Sequence, residues 1–254
     1  MDAVVIAGGV PKPEDPLYVF TQGQPKALLD VAGKPMAQWV LDALEGASQV
    51  ERVVVIGLDK ESGLACTKPL RYFSSQGGML QNIVFGVEQV IAQNPDARQV
   101  LLVSSDIPGI KAEMVDWVIN NAMRTDDDLY YHVIPQEVME KRYPGSKRTY
   151  THLKDVVVCG GDMNVVAARA IHTNRNTWER LIEARKSPLK QATIFGWDVL
   201  LGLALRTITI DETVRKITQR LGMRGRAVRC PFAEVGMDVD KPHQLELMRT
   251  DLGK

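Results

Sequence analysis

The hydrophobic positions along the chain alternate between two spacings. Short and nearly continuous apolar runs predict three buried strands, at residues 3–7, 52–57 and 100–104. Between these runs, apolar residues recur every three or four positions, which predicts amphipathic helices at 35–44 and 78–92. Such alternation of strands and helices is typical of βαβ units. The pattern therefore predicts a three-layer, Rossmann-like α/β fold, with a mostly parallel sheet and helices on both faces.

The alternation loosens after Met123. No linker rich in glycine, serine or proline divides the chain, so we expect a single domain over residues 1–254, with about 126–235 inserted around a substrate. Thr209 and Glu212 have the spacing of a helix capping box. The elements predicted in this half are strands at 129–134 and 226–232, a polar, basic loop at 141–148, and helices at 174–185, 189–205, 209–222 and 242–252.

The composition restricts the classes of partner. The 31 basic residues balance 31 acidic ones, so the chain has no overall positive field for a nucleic acid or an anionic membrane. No apolar run reaches the roughly 18 residues that cross a bilayer. Cys66, Cys159 and Cys230 are widely spaced and suit neither a disulfide framework nor a zinc site. We therefore expect a cytoplasmic protein with neither a nucleic-acid nor a membrane partner.

Two motifs near the N-terminus suit phosphate binding. The first strand runs directly into Ala7-Gly8-Gly9, where glycines allow backbone N–H groups to approach a phosphate, although a tight turn explains the pair equally well. Lys26 follows Pro25 after the loop that begins at Gly9. Its ammonium is a point charge suited to the β- and γ-phosphates of a nucleotide, the alternative being a solvated surface lysine.

An aspartate after the third strand suits a metal ion, and a second acidic motif precedes the last predicted helix. Asp106 follows the third strand, and ligands of open α/β sheets collect at the carboxyl ends of strands. One or two carboxylates hold Mg²⁺ while it bridges phosphate oxygens, whereas the alternative for Asp106 is a turn before Pro108. Asp238 and Asp240 precede Pro242 and the last predicted helix, and the family resemblance described below makes Asp240 the ligand with Asp238 in reserve. An aspartate in that place is equally natural as a helix cap.

Together these motifs resemble the GT-A-like nucleotidyltransferases, and most of all the molybdenum cofactor guanylyltransferase-like group. The shared pattern is an apolar strand, A-G-G, a loop, and then P-K-x-L-L-x-x-x-G-x-P-M, which spans residues 25–36 here. The resemblance implies that Lys26 contacts the triphosphate as a catalytic residue. It also implies that Asp106 is catalytic and holds Mg²⁺, or Mn²⁺, with Asp240 completing the metal site.

The resemblance assigns further residues to each substrate. Residues 1–125 form the nucleotide-binding half, where Ala7, Gly8, Gly9, Gly78 and Asn82 contact the nucleotide; a turn or capping role is the alternative for Asn82. Gly161 and Asp162 lie in a turn that faces the acceptor, or in a plain turn between a strand and a helix. One departure is the absence of the arginine usual in the loop after Gly9. We assign its charge to Lys12.

The function expected is transfer of a nucleoside monophosphate from an NTP to a small phosphorylated acceptor, with release of pyrophosphate. Such an acceptor is already ionised and needs no general base. Two alternatives stay open: a GT-A glycosyltransferase with a D-x-D motif at 238–240, and a non-catalytic nucleotide-sensing module. The sequence also leaves open a homodimer. Basic residues available for the acceptor phosphate, if not simply solvated, are Lys141, Arg142, Lys147, Arg148, Arg215, Arg220, Arg224, Arg226 and Arg229.

Overall fold

The computed structural model describes residues 1–173 and 194–254. A nine-stranded sheet lies at the centre of this part, in the order β5-β4-β1-β6-β10-β7-β9-β8, with β11 paired to β7. A separate hairpin joins β2 to β3. The strands are β1 (Asp2–Ile6), β2 (Asp30–Val31), β3 (Lys34–Pro35), β4 (Val53–Ile56), β5 (Leu70–Phe73), β6 (Gln99–Ser104), β7 (Leu129–Pro135), β8 (Thr151–His152), β9 (Val157–Gly160), β10 (Met163–Ala167) and β11 (Gly225–Arg229).

The direction of the strands agrees with the predicted sheet. β5, β4, β1 and β6 are parallel neighbours, and β11 is parallel to β7. Only β9 and β10 run against the other strands of this nine-stranded sheet, because each pairs antiparallel with its neighbours. The prediction of a mostly parallel, Rossmann-like α/β fold is confirmed.

Helices cover both faces of the sheet. On β1, Ala3 and Val5 point into a core that includes α2 and α4, whereas Val4 points to the opposite face, against α3 and α6. Side chains of successive strand residues alternate between faces, so one strand contributes to both cores. The helices are α1 (Tyr18–Thr21), α2 (Met36–Gly46), α3 (Met79–Gln93), α4 (Ala112–Ala122), α5 (Gln136–Arg142), α6 (Ala168–Thr173), α7 (Trp197–Ala204), α8 (Ile210–Arg220) and α9 (Pro242–Leu252).

The structure corrects several predicted elements. β5 and β10 were not predicted, and the glycine turn at 160–162 connects two strands rather than a strand and a helix. The predicted loop at 141–148 begins inside α5. Within the helix predicted at 189–205, Gly196 has φ of 93° and α7 begins only after it; residues 189–193 and the helix predicted at 174–185 lie outside the described residues. Across residues 1–173 and 194–254, no helix is long and apolar enough to cross a membrane.

Candidate active site

The candidate site lies at the carboxyl ends of β1, β4 and β6, which are adjacent and parallel. Gly8 follows β1 and Gly57 follows β4, and the two loops touch: a Cβ on Gly57 would lie 2.2 Å from Cα of Gly8. Gly57 also has φ of 106°, a conformation that favours glycine. A Cβ on Gly9 would meet no atom within 4 Å. The glycine loop is therefore packed on one side and open on the other, where a ligand can approach.

A backbone contact connects the glycine loop to Lys26. The Lys26 N–H donates to the carbonyl oxygen of Gly9 at 2.9 Å, which closes the loop between them. Lys26 begins a short 3₁₀ turn, Lys26–Leu28, whose Ala27 is buried in the core. The backbone that carries the lysine is thus fixed beside the predicted phosphate site.

The Lys26 ammonium bridges the two predicted metal ligands. Its Nζ lies 2.5 Å from Oδ2 of Asp106 and 2.6 Å from Oδ1 of Asp240. Burial lowers the pKa of Lys26, but attraction to Asp106 and Asp240 outweighs it, and the net effect raises this pKa above its usual value. Lys26 therefore stays charged. The structure brings together three side chains that are distant in sequence.

Both aspartates are held by neighbouring groups. Ser104 Oγ donates to Oδ1 of Asp106 at 2.5 Å, and the Val239 N–H donates to the Asp106 carbonyl at 2.9 Å. The residue preceding α9 is Lys241, and no side chain caps this helix. The Asp240 carboxylate faces Lys26 instead, so the helix-cap alternative does not describe its role.

A second group of charges adjoins the first. Arg148 forms an ion pair with Asp238, and its Nη2 lies 3.9 Å from Oδ2 of Asp162. The Asp162 carbonyl accepts from the Ser104 N–H at 2.8 Å, which joins the predicted acceptor turn to the end of β6. Burial raises the pKa of Asp162 to about 7, and the negative charge of Asp106 adds to this effect. The acceptor turn therefore lies within electrostatic reach of Asp106.

The charges of the site fit a divalent cation. Four carboxylates meet two cationic side chains, which leaves an excess of negative charge when all are ionised. In addition, the buried Oδ2 of Asp162 accepts no hydrogen bond within the described part of the chain. No group of three or more His, Cys, Asp or Glu side chains among the described residues forms a ready metal cage. Mg²⁺ needs only one or two carboxylates when phosphates and water supply its other ligands, so Asp106 and Asp240 suffice.

The other residues assigned to the nucleotide lie around the glycine loop. Asn82 is buried, and its Oδ1 accepts from the Gln76 N–H at 2.6 Å. Its Nδ2 lies so near Gly8 that a Cβ there would approach it to 2.8 Å. Gly78 precedes α3 in an extended conformation. Asn82 thus holds the loop before α3, which is the turn role that the sequence analysis gave as its alternative; contact with a nucleotide stays a prediction.

Lys12 lies in an exposed part of the loop after the glycines. Its side chain is exposed, and its backbone N–H donates to Oδ2 of Asp15 at 2.6 Å. Within the described part, no ion pair joins the Lys12 ammonium to the acidic cluster. Its assignment in place of the family arginine stays a prediction.

Most of the predicted basic residues are paired away from the cluster. Arg142 bonds Glu234 and Asp251, and Arg220 bonds Asp198. Arg148 is the exception, because its partners are Asp238 and Asp162. The sequence analysis predicted Arg148 only as one of several basic residues and did not single it out. Arg224, Arg226 and Arg229 pair with Asp126, Asp127 and Asp155, respectively.

The sequence matches the model of the MobA-like NTP transferase domain over residues 3–224. The chain belongs to this family. It is therefore a nucleotidyltransferase, and the predicted family and enzyme class are confirmed. A search of curated proteins found no match.

Solved structures agree with this membership. A hypothetical transferase from Thermus thermophilus is 33% identical, with a TM-score of 0.83 over 96% of this chain and 98% of the other. A CMP:2-keto-3-deoxy-manno-octonic acid synthetase complexed with CTP is 15% identical, with a TM-score of 0.60 over 98% and 97%. A 4-diphosphocytidyl-2C-methyl-D-erythritol synthase from Anaerococcus prevotii is 12% identical, with a TM-score of 0.60 over 100% and 96%. The last two similarities support the fold.

Proposed function

We propose that this protein transfers a nucleoside monophosphate from an NTP to a small phosphorylated acceptor and releases pyrophosphate, with Mg²⁺ or Mn²⁺ as the cofactor. The observation that carries the proposal is the contact of Lys26 with both Asp106 and Asp240 beside the open glycine loop. This contact supports the proposal because it puts the Lys26 ammonium next to two carboxylates that would hold a divalent cation. We place the reaction in the cytoplasm.

In this proposal, Gly8 and Gly9 present the backbone to the triphosphate, and Lys26 exchanges its carboxylate partners for the phosphates of the leaving pyrophosphate. An acceptor oxygen attacks the α-phosphorus as the bond to the β-phosphate oxygen breaks, so the electron pair of that bond leaves with pyrophosphate. A divalent cation, when bound by Asp106 and Asp240, would supply neutralisation of phosphate charge. Positioning and charge neutralisation then provide most of the rate, and no covalent intermediate is needed.

We place the acceptor phosphate at Arg148. A planar guanidinium is suited to bidentate contact with phosphate oxygens. Arg148 is mostly buried and lies between Asp238 and the acceptor turn at Asp162. These contacts hold the guanidinium in place before a substrate arrives.

The glycosyltransferase alternative requires Asp238 and Asp240 to act together on a metal. In the structure, Asp238 pairs with Arg148 and Asp240 pairs with Lys26. The division of the two acids between different cations favours nucleotidyl transfer, as does the match to an NTP transferase family.

The test is a pyrophosphate-release assay of four NTPs against phosphorylated sugars, polyols and cofactor precursors, in the presence of Mg²⁺. Asp106→Asn is expected to lower turnover by about 100-fold or more, the scale of losing one preorganised electrostatic contact. Asp198→Asn is the matched control, because Asp198 forms an ion pair with Arg220 outside the site. Equal turnover by the two variants, or no pyrophosphate release by the unmodified protein with any pair of substrates, contradicts the proposal.

A further inference from the structure

A cavity of about 450 Å³ lies between the sheet and helices α7 and α8. Its volume falls within the range of roughly 300–1,000 Å³ typical of small-molecule sites. None of the described residues that line it carries a charge, and they include Leu129, Tyr131, Val133, Val158, Leu203 and Val214.

Two of the hydroxyl groups around the cavity, those of Thr213 and Thr218, have their donors satisfied within α8. Thr213 Oγ1 donates to the Thr209 carbonyl at 2.7 Å, and Thr218 Oγ1 donates to the Val214 carbonyl at 2.8 Å. Both donors are thus used within α8. Apolar cavities hold water poorly and accept apolar ligands, and this lining suits a hydrocarbon group.

One end of the cavity adjoins the acceptor turn. Tyr131 and Gly160 both line the cavity, and a Cβ on Gly160 would lie 2.6 Å from the Tyr131 hydroxyl oxygen. Gly160 is two residues from Asp162. Burial, together with the charge of Asp162, raises the pKa of Tyr131. The wall of the cavity and the turn that faces the acceptor are therefore one continuous segment.

We propose that the acceptor is amphiphilic, with its phosphate at Arg148 and an aliphatic or aromatic portion that extends past Tyr131 into the apolar cavity. This inference rests on the proposed function, because it assigns the cavity to the acceptor of that reaction. It distinguishes this protein from an enzyme whose acceptor is polar throughout. A ligand of this class gains affinity from apolar surface removed from water, and its phosphate fixes its orientation.

Binding is tested first with N-phenyl-1-naphthylamine, a neutral apolar dye whose fluorescence rises in apolar surroundings. We expect one dye site per chain, with the dye displaced by decyl phosphate. Val214→Phe and, as a second variant, Val158→Phe place a larger side chain in the cavity and are expected to weaken binding at least 10-fold. Met123→Phe adds a ring at an exposed position outside the cavity and is the matched control. Thermal unfolding identifies which variants fold.

The exposed face of α7 offers the dye another site, because Leu201 is 60% exposed there. Dye binding that survives both cavity variants but is lost in Leu201→Asp overturns the inference. So does the absence of dye binding by the unmodified protein.

Turnover provides the second arm of the experiment. We expect a lower KM for decyl phosphate than for glycerol phosphate, and Val214→Phe is expected to remove the difference. Equal KM values overturn the amphiphilic acceptor while the proposed function stands. Absence of pyrophosphate release with every NTP and acceptor refutes the proposed function itself, and with it the assignment of the cavity to an acceptor.

Discussion

Arg148 has acidic neighbours on two sides, yet its placement beside the acceptor turn suits it to an anionic substrate. We predict that Arg148→Ala raises the KM for the phosphorylated acceptor by about 10- to 100-fold, since a hydrogen bond to a charged group contributes about 1.5–3 kcal/mol. The KM of Arg148→Lys for the acceptor is expected to lie between those of the unmodified protein and Arg148→Ala, because lysine keeps the charge but lacks the planar guanidinium. Steady-state kinetics with each substrate varied in turn measures the effect. An equal rise in the KM for NTP contradicts the assignment.

His132 is a second residue with a measurable signature. Its side chain is fully buried, its ring lies edge-on to Trp117 at 6.1 Å between centroids, and burial lowers its pKa to about 4. The unfolded chain therefore takes up a proton at higher pH than the folded one. The stability that neutral His132 contributes is complete above the unfolded pKa of about 6.5 and is lost as pH falls toward 4.

We predict a loss of about 2 kcal/mol in the free energy of unfolding between pH 7.5 and pH 5 from His132 alone. Urea unfolding over this range measures it. His132→Phe keeps an aromatic ring against Trp117 and removes the titration, so its stability should change less with pH. If the free energy of unfolding depends on pH equally in the unmodified protein and in His132→Phe, His132 is not the source of the pH dependence.

At the scale of elements, α8 depends on its first turn. Thr209 Oγ1 accepts from the Glu212 N–H at 3.3 Å, and Glu212 Oε2 accepts from the Thr209 N–H at 3.0 Å, which confirms the predicted capping box. Thr209→Ala is expected to lower the free energy of unfolding by about 1 kcal/mol. Thr250→Ala is the matched control, because Thr250 lies exposed within α9. Chemical denaturation that gives equal stabilities argues against the cap.

Four of the five predicted strands, β1, β4, β6 and β7, lie inside the sheet, whereas the fifth, β11, pairs with β7 alone and is partly exposed. The apolar run of β4 is buried at every position, whereas β5 at the edge of the sheet carries the exposed Arg71 and gives no comparable pattern. β10 escaped prediction because Gly160 and Gly161 indicated a turn, and Asn164 then interrupted its apolar run. An uninterrupted apolar run, rather than a central position in the sheet, therefore made β1, β4 and β6 predictable.

The site residues also divide into those that a short sequence motif could predict and those that only the fold brings together. Asp106 and Asp240 were predictable because each precedes a proline in a short motif, and Lys26 because it follows one. Arg148 and Asp238 are 90 residues apart in the sequence. Their ion pair could not be predicted from the spacing of neighbouring residues. The cavity beneath α7 and α8 arises from the packing of separate elements and was likewise invisible in the sequence.

At the scale of the whole molecule, many basic side chains are neutralised by acidic side chains close to them. The basic run at Arg224, Arg226 and Arg229 is neutralised by nearby aspartates, so it forms no isolated positive patch. The acidic cluster around Asp106 differs from this basic run, because its carboxylates outnumber the cationic side chains beside them. A chain with no net charge thus retains a local negative field at the place where we propose that a divalent cation binds.

The ammonium between Asp106 and Asp240 also bears on how the protein is handled. Lys26 acts as an internal counter-ion, so folding is expected to be independent of divalent metal: purification and storage in EDTA should stop turnover and leave the melting temperature unchanged. Lys26→Met removes that counter-ion, and its melting temperature should fall in EDTA and recover with Mg²⁺. Lys216→Met, which removes an exposed ion pair with Asp198, is the control and should show no such recovery. A wild-type melting temperature several degrees lower in EDTA than in Mg²⁺ would show that the lysine does not replace the metal in the resting protein.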